Sequence, residues 1–170
     1  MIERTTAHAL EATIRSAFHG VGLDGGVSLR QAQAIDRYGE GVTDKEFDAL
    51  QAGEITEDWT RVTVEELERD CVAHLDAKGF RYYIAPLMLA AISHYEPGSM
   101  RVIGTISSLY PTRNAWQYHM QRYALLSDAQ KQAIAMFLQA IPQLVALDHE
   151  HQQIVPRSLR NYWAQYRNHA

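Results

Sequence analysis

The chain has 170 residues, with 16 Lys/Arg, 20 Asp/Glu and a formal net charge of −4, and 46% of its residues are hydrophobic against 21% charged. That length suits one domain and that balance belongs to a globular chain, which excludes a disordered protein. No apolar run approaches the roughly 20 residues of a membrane helix, the opening residues lack a signal-peptide core, and the lone Cys71 excludes an intramolecular disulfide; the expectation is a cytoplasmic protein of bacterial type.

Helical spacing of Leu10, Ile14, Ala17 and Phe18 predicts a first helix over Thr6–Phe18, closed by Gly20. After a Gly-rich turn, Ser28 caps a second helix, Leu29–Tyr38, which Gly39 and Gly41 end. Thr43 and Glu46 have capping-box spacing and open a short helix bearing Phe47 and Leu50. Trp59 falls in a loop or short extended piece. Thr63 and Glu66 form a second capping box, predicting a helix to about Ala77 with Leu67, Val72 and Leu75 inward and Gly79 past its end.

Pro86 disfavours helical angles at Ala85 and suits the first position of a helix. The expectation is therefore an extended Phe80–Ala85 followed by a nearly all-apolar helix from Pro86 to about Tyr95, buried at the centre of the domain. Phe80, Tyr83, Leu87, Leu89 and Ile92 read as core. Met100–Pro111 fits either a short strand or an irregular helix. Thr112–Leu126 reads as helical, with Trp116, His119 or Met120, and Tyr123 forming a stripe. Ser127 and Gln130 box a long helix through Ile134, Phe137, Leu138 and Ile141 to Leu147, which Pro142 kinks or interrupts. Residues 149–156 read as a linker and Arg157–Tyr166 as a last helix, so 148–170 is expected to be a C-terminal extension.

The stretches Val27–Gly39, Asp58–Val62 and Leu75–Leu89 resemble a bacterial domain-of-unknown-function family of small, acidic, mostly helical domains, with weaker likeness over Leu126–Leu138. The resemblance spans roughly Leu10–Ile141. It implies a helical fold and carries no activity.

Charge is unevenly spread: Asp36 to Asp70 holds 12 Asp/Glu against 4 Lys/Arg, and Arg113 to the end holds 6 Lys/Arg against 3 Asp/Glu. An acidic middle suits a basic protein partner and is a poor surface for nucleic acid, whose binding rests on phosphate contacts. Tyr162, Trp163 and Tyr166, interleaved with Arg157, Arg160 and Arg167, would suit single-strand stacking, but they also make one side of an ordinary docking helix.

Phosphate-binding glycine loops, nucleophile elbows and zinc-protease helices have no counterpart in the sequence. Asp148, His149, Glu150 and His151 are consecutive and cannot all reach one ion from a regular element, so His149 and His151 read as a solvated helix end and no metal or cofactor is expected. Cys71 and His74 would share a helical face, yet Cys71 beside Leu67 and Leu75 reads as a small buried hydrophobe. Asp36, with Trp59, Arg81 and Tyr82, is a candidate cleft for a substrate or small ligand.

The reading that follows is an all-α, single-domain, irregular orthogonal bundle of about seven helices. Its expected function is non-catalytic protein binding, in the manner of an immunity protein or antitoxin, through Asp44, Glu46, Asp48, Glu54, Glu57 and Asp58 with Trp59 as an aromatic anchor. The alternative is an enzyme or ligand binder at the Asp36 cleft.

Overall fold

The computed structural model describes residues 2–69, 71–94, 96 and 98–167, less the side chains of 2–4, 40, 100 and 101. Among these residues there is no strand. Nine α-helices follow in order: α1 (Ile2–Ala17), α2 (Leu29–Tyr38), α3 (Asp44–Leu50), α4 (Val64–Leu67), α5 (Ala77–Ser93), α6 (Met100–Ser108), α7 (Trp116–Tyr123), α8 (Asp128–Leu144) and α9 (His149–Asn161). Short 3₁₀ turns intervene, among them Trp59–Arg61, Val72–His74 and Trp163–Tyr166. The fold is all-α and forms one domain.

Side-chain caps set most of the helix starts. Ser28, Thr43, Thr63 and Ser127 each accept the amide three residues on, while Gln31, Glu46, Glu66 and Gln130 bond back to the cap amide. Each reciprocal box satisfies two of the donors a helix start would otherwise leave open.

The central helix is α5, and it corrects the expectation for Pro86. The helix begins nine residues earlier, at Ala77, and runs straight through Pro86. Its cap is Asp76, whose Oδ1 accepts the Gly79 amide at 2.8 Å and the Val27 amide at 2.9 Å. Gly79 is thus inside the first turn, where it allows a close crossing: a Cβ there would lie 2.3 Å from the Val27 carbonyl oxygen. Phe80 to Ala90 are buried apart from Arg81, and α5 touches α1, α4, α6, α7 and α8. Burial on every side outweighs the single backbone bond that Pro86 cannot make. The expected end near Tyr95 lies outside the described residues.

The helix expected from Thr63 to Ala77 is a single turn. Leu67, Val72 and Leu75 are all buried, but Val72 and Leu75 reach the core from the following 3₁₀ turn and an extended residue. A five-residue step from Leu67 to Val72 turns a regular helix by about 500°, which would leave the two side chains on different faces.

The N-terminal helix packs chiefly on α8, joining Leu10, Ile14 and Phe18 to the core that also holds Ile134, Phe137, Leu138 and Ile141. The segment read as a linker is most of α9. Asp148 caps it through the His151 amide at 2.8 Å, and Pro156 lies within it. Val155, Leu159 and Trp163 belong to the same core as α1, α5 and α8, so this segment completes the domain. Trp163 is fully buried, and its Nε1 donates to the Leu109 carbonyl at 2.7 Å, which the Ser158 hydroxyl also reaches.

Candidate functional site: helix α3 and the groove beside it

α3 is held at the edge of the domain by polar clasps. Gln31 Nε2 donates to the Phe47 carbonyl at 3.0 Å, and Gln51 Nε2 donates to the Gly26 carbonyl at 3.0 Å. None of its residues is buried. Asp44, Glu46 and Asp48 are exposed, and none is ion-paired with a described residue. Glu46 accepts from both the hydroxyl and the amide of Thr43, which hold its carboxyl below the usual range. It therefore stays charged under conditions that would begin to titrate a free glutamate.

Between α2 and α3 runs a groove of about 320 Å³, lined by Ala34, Tyr38, Gly41, Val42, Glu46 and Leu50. Tyr38 is 60% exposed, the most of any large hydrophobic side chain among the described residues. The sequence gives Tyr38 away only as the last residue of α2. What makes it a surface feature is the turn at Gly39, with φ of 56°, which redirects the chain so that α3 faces α2.

The other expected acids divide. Glu57 and Asp58 are exposed, but they line a separate hollow with Arg15 and His19. Asp58 caps the next turn through the Thr60 amide and hydroxyl, and these bonds lower its pKa. Glu54 is half-buried and accepts the Arg30 amide through Oε1, and burial pushes its pKa up; it braces the domain and does not offer charge outward. Trp59 corrects the expectation of an exposed anchor, being 2% exposed with Nε1 donating to the Phe18 carbonyl at 2.8 Å. Its indole ties the turn after Asp58 to the end of α1. Trp59→Phe is expected to lower unfolding free energy by about 1 kcal/mol, because it removes one of the two donors at the Phe18 carbonyl, which also accepts the Val21 amide at 3.2 Å, and urea unfolding measures this directly.

The four side chains of the candidate cleft do not converge. Asp36 is exposed and pairs with His74 Nε2 at 3.0 Å, whereas Arg81 pairs with Asp24 at 3.1 Å. The Tyr82 hydroxyl donates to the Ile55 carbonyl at 2.7 Å, and burial raises its pKa. His74 turns to Asp36, while Cys71 is buried.

The histidines near residue 150 stand at the N-terminus of α9, not at a helix C-terminus. His151 is buried with Nδ1 2.7 Å from Asp148 Oδ2, and the His149 ring meets Gln153. Among the described residues no three His, Cys, Asp or Glu side chains are grouped to hold a metal ion. No helix among them is long and apolar enough to cross a membrane. The aromatic tail is spent internally: Trp163 packs on Tyr123 at 4.8 Å between ring centroids and on Tyr162 at 4.8 Å.

A family model described as a family of unknown function (DUF6714) matches residues 6–167. No match to the chain was found among the curated proteins or the solved structures.

Proposed function

We propose that this chain, which belongs to that family of unknown function, is a non-catalytic protein-binding module that captures a basic partner on α3 and the groove beside it. The observation that supports this reading is the meeting of exposed acids and an apolar slot on one short helix: Glu46 lines the groove with Tyr38, Val42 and Leu50, and Asp44 and Asp48 stand exposed on α3. A basic segment carrying one apolar side chain complements both features. The charges speed encounter and the slot seats the anchor. Tyr38 takes the anchoring role that Trp59, being internal, does not. An immunity protein or antitoxin that neutralises a cationic enzyme is the form of function this surface suits, since rapid capture matters most there.

The test is affinity capture from a lysate of the source organism at low and moderate salt, wild type beside Asp44→Lys/Asp48→Lys, with bound proteins identified by mass spectrometry. Asp44 and Asp48 are chosen because Glu46 also caps α3. The expected result is one stoichiometric basic protein on the wild type, released as salt rises and weakened about tenfold or more on the double variant. Equal capture by both proteins, insensitive to salt, overturns the reading. Tyr38→Ala is expected to shorten the lifetime of the same complex while leaving the fold intact.

A further inference from the structure

Arg122 on α7 is buried with no anion beside it among the described residues. Only 3% of it is exposed, and its guanidinium lies 4.5 Å from the Phe80 ring centroid and 5.1 Å from that of Tyr118. It donates to the Val72 carbonyl and, at 3.0 Å, to the Tyr118 hydroxyl. Its Nε finds no acceptor. Among the described residues no carboxylate lies in ion-pair range of it. A guanidinium has five N–H donors on three nitrogens; Nη1 and Nη2 each have one acceptor here, and Nε has none. Buried cations normally have a counter-charge, because taking one from water unpaired is strongly unfavourable.

Arg122 also helps line a hollow of about 270 Å³ between α6, α7 and the Val72–His74 turn. Val72 and Ala73 give it an apolar wall, His119 lies alongside, and Ser107 stands at its exposed rim. Among the described residues none bonds the Ser107 hydroxyl, whereas that of Ser108 already donates to the Thr105 carbonyl at 2.7 Å.

We propose that this hollow binds a small organic carboxylate, its charged end on Arg122 and its short apolar body against Val72 and Ala73. The argument for a carboxylate over a phosphate is a count of charge. Burial and the neighbouring Arg122 hold His119 toward its neutral form, so the site offers one positive charge and is neutralised by a monoanion. A phosphate dianion would leave a buried negative charge uncompensated. The planar fork of arginine also matches a carboxylate in two parallel bonds. This site shares no lining residue with the α2–α3 groove, so it is tested apart from the protein-binding reading.

The experiment titrates the full chain with sodium benzoate and sodium butyrate, with sodium phosphate and sodium chloride as controls. Binding is read from the Arg122 Nε–H resonance and from calorimetry. The expected result is saturable binding of at least one carboxylate, in the millimolar range or tighter, with neither control saturating. Arg122→Gln is expected to abolish it, with circular dichroism reporting whether the loss of the Val72 tie has unfolded the chain. Ser107→Trp leaves Arg122 in place and blocks the rim, and is expected to remove binding with the ligand-free melting temperature unchanged. Saturation by phosphate or chloride to the same degree, absence of saturation by both carboxylates, or full binding by the Ser107→Trp protein overturns the proposal.

Discussion

Trp163→Ala lowers the unfolding free energy by about 3–5 kcal/mol, the range for removing a large aromatic side chain from a closed core. At about 2–4 °C per kcal/mol for a chain of this size, the melting temperature falls by on the order of 10 °C. Trp163 is fully buried, packs on both Tyr123 and Tyr162, and bonds the Leu109 carbonyl. The variant therefore loses packing and one of the two donors at that oxygen. Trp163→Phe keeps most of the ring and is expected to lose about 1–2 kcal/mol. Urea unfolding of the three proteins measures the series. A loss below about 1 kcal/mol for the alanine variant, the level of an ordinary surface change, would mean that the C-terminal segment is the appendage its sequence suggests and not part of the core.

Gly79→Ala is the second large effect, and here two terms oppose each other. Alanine is better than glycine inside a helix by about 1 kcal/mol. Its Cβ, however, would stand 2.3 Å from the Val27 carbonyl oxygen and 3.0 Å from Asp76 Oδ1. The nearer atom is backbone, so relief requires moving the loop after Gly26 away from α5, which strains the two bonds Asp76 makes to Val27 and Gly79. Overpacking of this kind costs about 1–3 kcal/mol beyond the propensity gain, and the expected net loss is about 2 kcal/mol. Gly41→Ala is the control, since a Cβ there meets nothing within 4 Å. It is expected to leave the denaturant midpoint nearly unchanged. A Gly79→Ala protein as stable as wild type would refute the close crossing.

Gly79 also explains much of what the sequence hid. Lys78-Gly79 after an apolar stretch looks like the end of a helix, because glycine is the usual residue there. A glycine demanded by a neighbouring backbone leaves the same mark on the sequence. The prolines misled in a related way. Pro86 and Pro156 both sit inside helices, although proline read locally argues for a boundary. Tertiary burial overrode that preference in α5, which is apolar and buried around Pro86 from Tyr82 to Ala91. It overrode it again in α9, whose Val155 and Leu159 lock into the core. The capped starts were legible because Ser28, Thr43, Thr63 and Ser127 act within three residues of themselves. The acids of α3 were legible as exposed charge for the same reason. The groove beside them was not, since it exists only where Gly39 folds α3 against α2. Nor was the burial of Arg122 between Phe80 and Tyr118, which is a property of its neighbours and leaves no trace in spacing.

The pairing of α1 with α8 has a consequence for how the protein is made. Leu10, Ile14 and Phe18 leave the ribosome about 120 residues before Phe137 and Leu138, the side chains that join them in the core. Throughout that interval the nascent chain carries an amphipathic helix with no completed surface to receive it. A polypeptide released before Asp128 lacks the whole of α8 and leaves that apolar stripe open to solvent or to a chaperone. The domain thus cannot close until α8 has been made, and a premature stop anywhere upstream of α8 yields a product fit for degradation.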